Sequence, residues 1–149
     1  MPFRIAKTFT IESGHLLTKH RGGCRFPHGH SRTIEIVVTS DALDAHDMVC
    51  DFKSLKTAVA EIVARYDHAF AINTADPKFR ELRAAYGDRV LGFPNTDPTT
   101  EVLAREIFCE VRAQMAAAAS DAEFPIPATA RLERVRVTET GTSWAEYWE

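Results

Sequence analysis

Several classes of protein are excluded by what this sequence lacks. No apolar run approaches the ~20 residues of a membrane-spanning helix. The first seven residues, Met1–Lys7, carry charge with no apolar stretch behind it, so no secretory leader is expected. Basic residues are not in excess: 18 Lys and Arg stand against 21 Asp and Glu, a formal net charge of −3. Neither nucleic acid nor an anionic membrane is therefore an expected partner. Cysteine is scarce and odd in number, at three residues. With no leader, that argues for reduced thiols and a cytoplasmic location. No internal repeat or low-complexity linker divides the chain, although 116–119 is a run of alanines.

What is present has the balance of a globular domain. The 149 residues are 45% hydrophobic and 26% charged, which fits one domain over 1–149. A chain of this length buries roughly two-thirds of its unfolded surface, so its core needs neither disulfide nor metal. Composition does not account for the histidines. Three of the six, His15, His28 and His30, fall with Cys24 inside sixteen residues.

Residues 3–12 alternate: Phe3, Ile5, Phe9 and Ile11 share one parity, broken by Lys7, and Arg4, Thr8, Thr10 and Glu12 share the other. That is the pattern of a half-buried strand, and its apolar parity continues through Ser13 to His15. Residues 16–27, with Gly22, Gly23 and Pro27, read as a loop. Residues 30–39 alternate again, with Ile34, Ile36 and Val38 in phase with His28 and His30; Arg32 interrupts that face and predicts an imperfect register. At 51–66 the period becomes helical, with Phe52, Leu55, Val59, Ile62, Val63 and Tyr66 behind Asp51 as N-cap. Residues 73–97 are irregular apart from one or two helical turns at 78–83. A second helix is expected from Asp97 as N-cap and Pro98 as first helical residue to about Ala119, with Leu103, Ile107, Val111 and Met115 in one stripe. A hairpin closes the chain: 129–139 with Val135, Val137 and Glu139 in phase, a turn at 140–142 and a return over 143–148. The expected fold is α+β in the order β–β–α–α–β–β, four antiparallel strands with two helices on one face. Such a sheet leaves its edges open, and edge-to-edge association into a barrel would close them, so a homo-oligomer is expected.

In extended chain, residues two apart point to one side at about 7 Å separation, so His28 and His30 can reach one metal ion. If their strand pairs with the first, His15 joins them at one end of the sheet. Three protein ligands and an open fourth position is the pattern of catalytic zinc; three ordinary histidines, two of them in a turn, is the plain alternative. Cys24 reads as a fourth ligand, a nucleophile or base, or an inert thiol. Lys19, Arg21 and Arg25 surround it, and positive charge lowers a thiol pKa. Those residues and His20 form either a solvated face or a site for an anionic, polyphosphate tail. Cys50 and Cys109 read as small core residues, and His46 needs no function. Asp67-His68 is either a carboxylate orienting a proton-shuttling histidine or a helix C-terminus whose histidine favours the dipole. Sequence neighbours are not expected to bond side chain to side chain, so such a pair would share a third partner. Glu139 either points a carboxylate into the apolar layer, where a planar edge with two N–H donors would match it, or lies in solvent beyond the strand. Glu101 most simply serves the helix dipole.

Six motifs occur in order: His15; Cys24-Arg-Phe-Pro-His28-Gly-His30; Asp51-Phe-Lys-Ser-Leu-Lys56; Tyr66-Asp-His-Ala-Phe-Ala-Ile-Asn73; Pro98-Thr-Thr-Glu101; and Val137-Thr-Glu139-Thr140. Together they resemble the 6-pyruvoyltetrahydropterin and 6-carboxytetrahydropterin synthase family over nearly the whole chain. The three residues between Cys24 and His28 resemble its bacterial carboxytetrahydropterin branch. The resemblance implies the tunnelling fold (T-fold), with subunits joined into a barrel, commonly a hexamer of two trimers, and active sites between subunits. It implies that His15, His28 and His30 bind zinc. It implies that Cys24 is the catalytic thiol, with Asp67 and His68 of a neighbouring subunit as its proton relay. Glu139, counted with the catalytic residues, would grip the pterin's guanidine-like edge, helped by Thr99, Thr100 and Glu101. The implied substrate is 7,8-dihydroneopterin triphosphate, converted to 6-carboxytetrahydropterin, acetaldehyde and triphosphate on the way to queuosine and related deazapurines. Two features depart from the family's pattern. Ile11-Glu-Ser-Gly-His15 stands where Phe-x-Ala-Ala-His is usual, and the connection from Asn73 to Pro98 is long. The competing readings are a pyruvoyl synthase that eliminates triphosphate without carbon–carbon cleavage, a non-catalytic pterin- or purine-binding relative, and a structural zinc module.

Overall fold

A computed structural model describes residues 2–149. Two long strands, β1 (Phe3–His15) and β2 (His28–Ser40), open the chain. They are followed by α1 (Phe52–Tyr66), β3 (Ala69–Asn73), α2 (Phe79–Tyr86), β4 (Val90–Phe93), α3 (Thr100–Ala117), β5 (Arg131–Thr140) and β6 (Ser143–Trp148). All six strands lie in one sheet of order β4-β3-β1-β2-β5-β6. Pairing is antiparallel for β1–β2, β2–β5 and β5–β6. β3 joins β1 in parallel, and β4 joins β3 in parallel.

The expected α+β order is therefore present, and the long connection adds to it. β4 stands in the segment expected to be irregular, α2 extends the helical turns expected at 78–83, and β3 occupies 69–73, just before that segment. Five and four residues are too few for a period to declare itself, and a short apolar run such as Ala69–Ile72 fits strand or helix equally. No helix is long and apolar enough to cross a membrane.

Alternation places the core. The predicted parity of β1 and β2 faces the helices, and Ile11, Ile34, Ile36 and Val38 pack with Val135 and Val137 of β5. Against them lie Leu55, Val59 and Ile62 of α1 and Leu103, Ile107, Val111 and Met115 of α3. The other face of the sheet is polar, where Arg134 and Arg136 pair with Glu35 and Glu146 across neighbouring strands. Arg32 does not break the register: the β1–β2 ladder is continuous, Ile11 lies opposite Arg32, and the guanidinium is simply buried on the core face. Cys50 is buried as expected. Cys109 is exposed, because two residues beyond Ile107 turn it off the buried stripe of α3.

The helix starts differ in one respect from expectation. Asp51 caps α1, accepting from Lys53 N at 2.7 Å. The cap of α3 is Thr99, whose hydroxyl accepts from Val102 N, and the helix begins at Thr100. Asp97 is buried and engaged elsewhere: its carboxylate accepts from Lys19 N at 2.7 Å and from Asn73 Nδ2 at 2.9 Å. It ties the β1–β2 loop and the end of β3 to the start of α3.

Leu55 is wholly buried in α1. Leu55→Ala is expected to lower unfolding free energy by about 2–5 kcal/mol, read as a lower denaturation midpoint with unchanged slope.

Candidate functional site

The hairpin register sets the site. His15 ends β1 directly opposite His28, and Ser13 lies opposite His30, so three histidines share the core-facing side at one end of the sheet. Their ring centroids are 4.5, 5.0 and 5.3 Å apart. One nitrogen from each lies within 4.8 Å of the others, the spacing of a group that can hold one ion.

Backbone carbonyls orient two of the rings. His15 Nδ1 donates to Pro98 O at 2.8 Å and His28 Nδ1 to Phe26 O at 2.7 Å. A carbonyl only accepts, so both Nδ1 atoms carry the proton and both Nε2 atoms keep a lone pair. His30 Nε2 is buried without a hydrogen-bond partner. Burial pushes His15 down to about 4, against Pro98's opposing effect, and burial also lowers His30. Both are therefore neutral at neutral pH, as metal ligands must be. The all-imidazole donor set and the orphaned nitrogen fit a zinc ion.

Arg32 lies on the same face and is wholly buried. Its Nε donates to Ser13 Oγ and its Nη1 to Thr100 Oγ1, both at 3.0 Å. Nη2 lies 3.5 Å from Glu139 Oε1 and 3.2 Å from His15 Nε2. The sequence reading treats Arg32 only as an interruption, yet its signal was visible: a charged residue in phase with both His30 and Ile34.

Glu139 is the extra residue of a β-bulge between Thr138 and Thr140, a common device beside active sites. It stays on the core-facing side, as the in-phase reading has it, and does not lie free in solvent. Its Oε1 accepts from Thr100 Oγ1 at 2.9 Å and lies 3.3 Å from His30 Nε2 and 3.6 Å from His15 Nε2. Burial alone would raise this carboxyl, but the Thr100 hydroxyl, Arg32 and the histidines outweigh it and hold it below its ordinary value. Oε2 makes no hydrogen bond among the described residues, so one carboxylate oxygen, not two, is open to a ligand. Of the three residues expected to help Glu139, only Thr100 touches it. Thr99 is occupied as a cap, and Glu101 is exposed in the first turn of α3.

Asp67 and His68 follow α1. His68 takes φ +55°, uncommon without glycine, and this turn brings its Nδ1 to 3.1 Å from Asp67 Oδ2. Adjacent residues thus do bond side chain to side chain, contrary to the sequence expectation. Glu12 holds the pair through its backbone, its N–H donating to Asp67 Oδ1 at 2.8 Å and its carbonyl accepting from His68 N at 2.6 Å. That N–H, and then His68, hold the Asp67 carboxyl below its ordinary value. The His68 side chain is 69% exposed. It borders a cavity of about 730 Å³ shared with His30, Phe70, Tyr86 and Arg89, the last two from the long connection.

Cys24 lies partly exposed in a short 3-10 turn of the β1–β2 loop, with its carbonyl accepting from Leu17 N. It does not belong to the group of metal-binding distances, so a fourth-ligand role finds no support. In the same loop, Lys19 Nζ donates to Asn95 O at 3.3 Å and the Arg25 guanidinium lies 5.9 Å from the centre of the Phe26 ring.

The sequence profile of the family described as 6-pyruvoyl tetrahydropterin synthase matches residues 4–149. The chain belongs to that family. It is 33% identical over 167 aligned residues to a 6-carboxy-5,6,7,8-tetrahydropterin synthase of Aquifex aeolicus, covering 100% of this chain and 99% of the other. It is 29% identical to the Haemophilus influenzae protein of the same name, covering 99% of both. The fold matches a crystal structure of an uncharacterized Wolinella succinogenes protein at TM-score 0.78 and 20% identity, over 99% of this chain and 98% of that one. It matches Caenorhabditis elegans 6-pyruvoyl tetrahydropterin synthase at 0.70 and 17%, over 99% and 95%. These relatives place the chain in the synthase family's bacterial branch and give it the T-fold expected from its motifs.

The lowered His15 pKa has a stability consequence. In the unfolded chain His15 titrates near 6.5 and in the folded chain near 4, so the unfolded state takes the proton first as pH falls. The contribution, about 3 kcal/mol, is fully present above pH 6.5 and lost by pH 4. Denaturation midpoints of metal-free protein should fall across that window, and less steeply in His15→Asn; equal slopes would contradict the assignment.

Proposed function

We propose that this protein is a zinc-dependent 6-carboxy-5,6,7,8-tetrahydropterin synthase acting on 7,8-dihydroneopterin triphosphate. One observation carries the reading: a carboxylate, Glu139, stands beside the three-histidine centre with one oxygen held and one open. An ion site and an acceptor for ligand N–H groups side by side suit a substrate with a hydroxylated side chain on an amino-substituted ring. The carboxy branch is supported by the names of the relatives and by the three residues between Cys24 and His28.

His15, His28 and His30 would hold the zinc, which supplies Lewis acidity towards the substrate's side-chain hydroxyls. Glu139 Oε2 accepts from the ring's donor edge and fixes its orientation, with Thr100 steadying the carboxylate. Cys24 takes and returns protons between ring and side chain. His68, oriented by Asp67, relays them. The exposed dyad serves the Cys24 of a neighbouring subunit within a barrel of two trimers. Carbon–carbon cleavage with uptake of one water then releases acetaldehyde and triphosphate and leaves 6-carboxytetrahydropterin, a step towards queuosine and related deazapurines in the cytoplasm.

Incubation with 7,8-dihydroneopterin triphosphate and identification of products by mass tests the reaction. Acetaldehyde is expected in amounts equal to triphosphate; triphosphate alone would assign the pyruvoyl reaction instead. Cys24→Ala is expected to reduce turnover by at least about 100-fold with zinc content unchanged by metal analysis, and full activity would remove Cys24 from the mechanism. Glu139→Gln should weaken pterin binding about 10- to 100-fold in a direct titration, the worth of a charge-assisted hydrogen bond.

A further inference from the structure

We propose that Arg32 is a positioning residue that makes Glu139 selective for a ligand edge bearing an amino group, an inference that rests on the pterin reading of Glu139. The core-facing positions of β2 next to it, Ile34 and Ile36, are wholly buried and aliphatic, and so is Ile11 opposite. A guanidinium among them is costly, since an aliphatic residue packs such a position at no desolvation penalty. Its polar partners are unusually directed. Nη1 donates to the Thr100 hydroxyl, the Thr100 hydroxyl donates to Glu139 Oε1, and Nη2 closes the triangle at the same oxygen. Nε is tied to Ser13, so the guanidinium plane itself is fixed by β1.

The carboxylate is thereby held from two elements, β2 and α3, through a single oxygen. Oε1 is saturated and is the oxygen that lies beside His15 and His30, and Oε2 is left at one angle with no hydrogen bond among the described residues. A carboxylate pinned in this way accepts from an N–H placed opposite it and repels a carbonyl oxygen placed there. An unpinned one would swing aside and tolerate both. Discrimination between amino and oxo substituents on the ring is therefore set by Arg32, while contact with the ring is made by Glu139.

The test compares 7,8-dihydroneopterin triphosphate with its counterpart bearing oxygen in place of the 2-amino group, using the full chain loaded with zinc. The native protein should favour the amino compound by at least about 100-fold in kcat/KM, as sites built to hydrogen-bond one partner do. In Arg32→Lys, with zinc content and cooperative unfolding retained, that ratio should fall by at least about tenfold, carried mainly by KM. Thr100→Val removes the hydroxyl joining Arg32 to Glu139 without deleting a buried charge, and its ratio should fall likewise; it decides the matter if Arg32→Lys does not fold. A native ratio retained in the folded variants overturns the role of Arg32 alone. A native protein that does not prefer the amino compound overturns the pterin reading of Glu139 and this inference with it.

Discussion

His15 opposite His28, and Ser13 opposite His30, is the register on which the rest of the site depends. Side chains alternate with a period of two, so a slip of one residue on either strand would carry its histidines to the polar face. The slip is prevented by the core itself. Ile11, Ile34, Ile36 and Val38 occupy the same face and are almost wholly buried, and each such side chain stabilises the register by roughly 1.5–3 kcal/mol. Hydrophobic packing thus brings the three imidazoles together. A site organised in this way would have its fold before any metal, unlike small zinc modules that fold only on binding.

The start of α3 supplies the second half of the site, one residue at a time. Asp97 accepts from Lys19 N and Asn73 Nδ2, locking the helix start to the β1–β2 loop and to β3. Pro98 offers the carbonyl that orients His15. Thr99 caps the helix, and Thr100 joins Arg32 to Glu139. Four consecutive residues therefore fix the helix end, the His15 tautomer and a carboxylate. The same economy explains why Asp97 is not the cap: a buried carboxylate with two strong donors at hand is better satisfied by them than by a solvent-facing helix terminus.

Much of this was legible because it was periodic or chemically conspicuous. The strand parities place His15, His28 and His30 on the apolar faces of their strands, and the phase of Val135 and Val137 offers Glu139 the same face while leaving a position in solvent equally open. What escaped the sequence was tertiary in origin. Whether Arg32 marks a faulty register or a buried charge depends on Thr100 and Glu139, which lie 68 and 107 residues away. The Asp67–His68 contact needs a left-handed turn that nothing local demands; Glu12, more than fifty residues earlier, holds it through two backbone bonds. Cys109 was misplaced because α3 carries small residues on both its buried and exposed sides. β3 and β4 pair in parallel with chain segments that no local pattern announces.

The short strand β3 also bears on where the Asp67–His68 pair lies. β3 pairs with β1 only over Ser13–His15, so Phe3–Glu12 keeps one strand edge without a partner among the described residues. β6 ends the sheet on the other side, with Trp144 and Trp148 exposed. Two long open edges invite pairing with further copies, and the proposed barrel would use them. Such a ladder along β1 has to stop at Glu12, because the amide and carbonyl of that residue are already bonded to Asp67 and His68. In the proposed barrel the Asp67–His68 pair would therefore mark the point at which strand pairing between copies ends, with the exposed His68 ring at that seam. In the proposed barrel a proton relay placed there would face a neighbouring chain, as a thiol supplied from the next subunit would require.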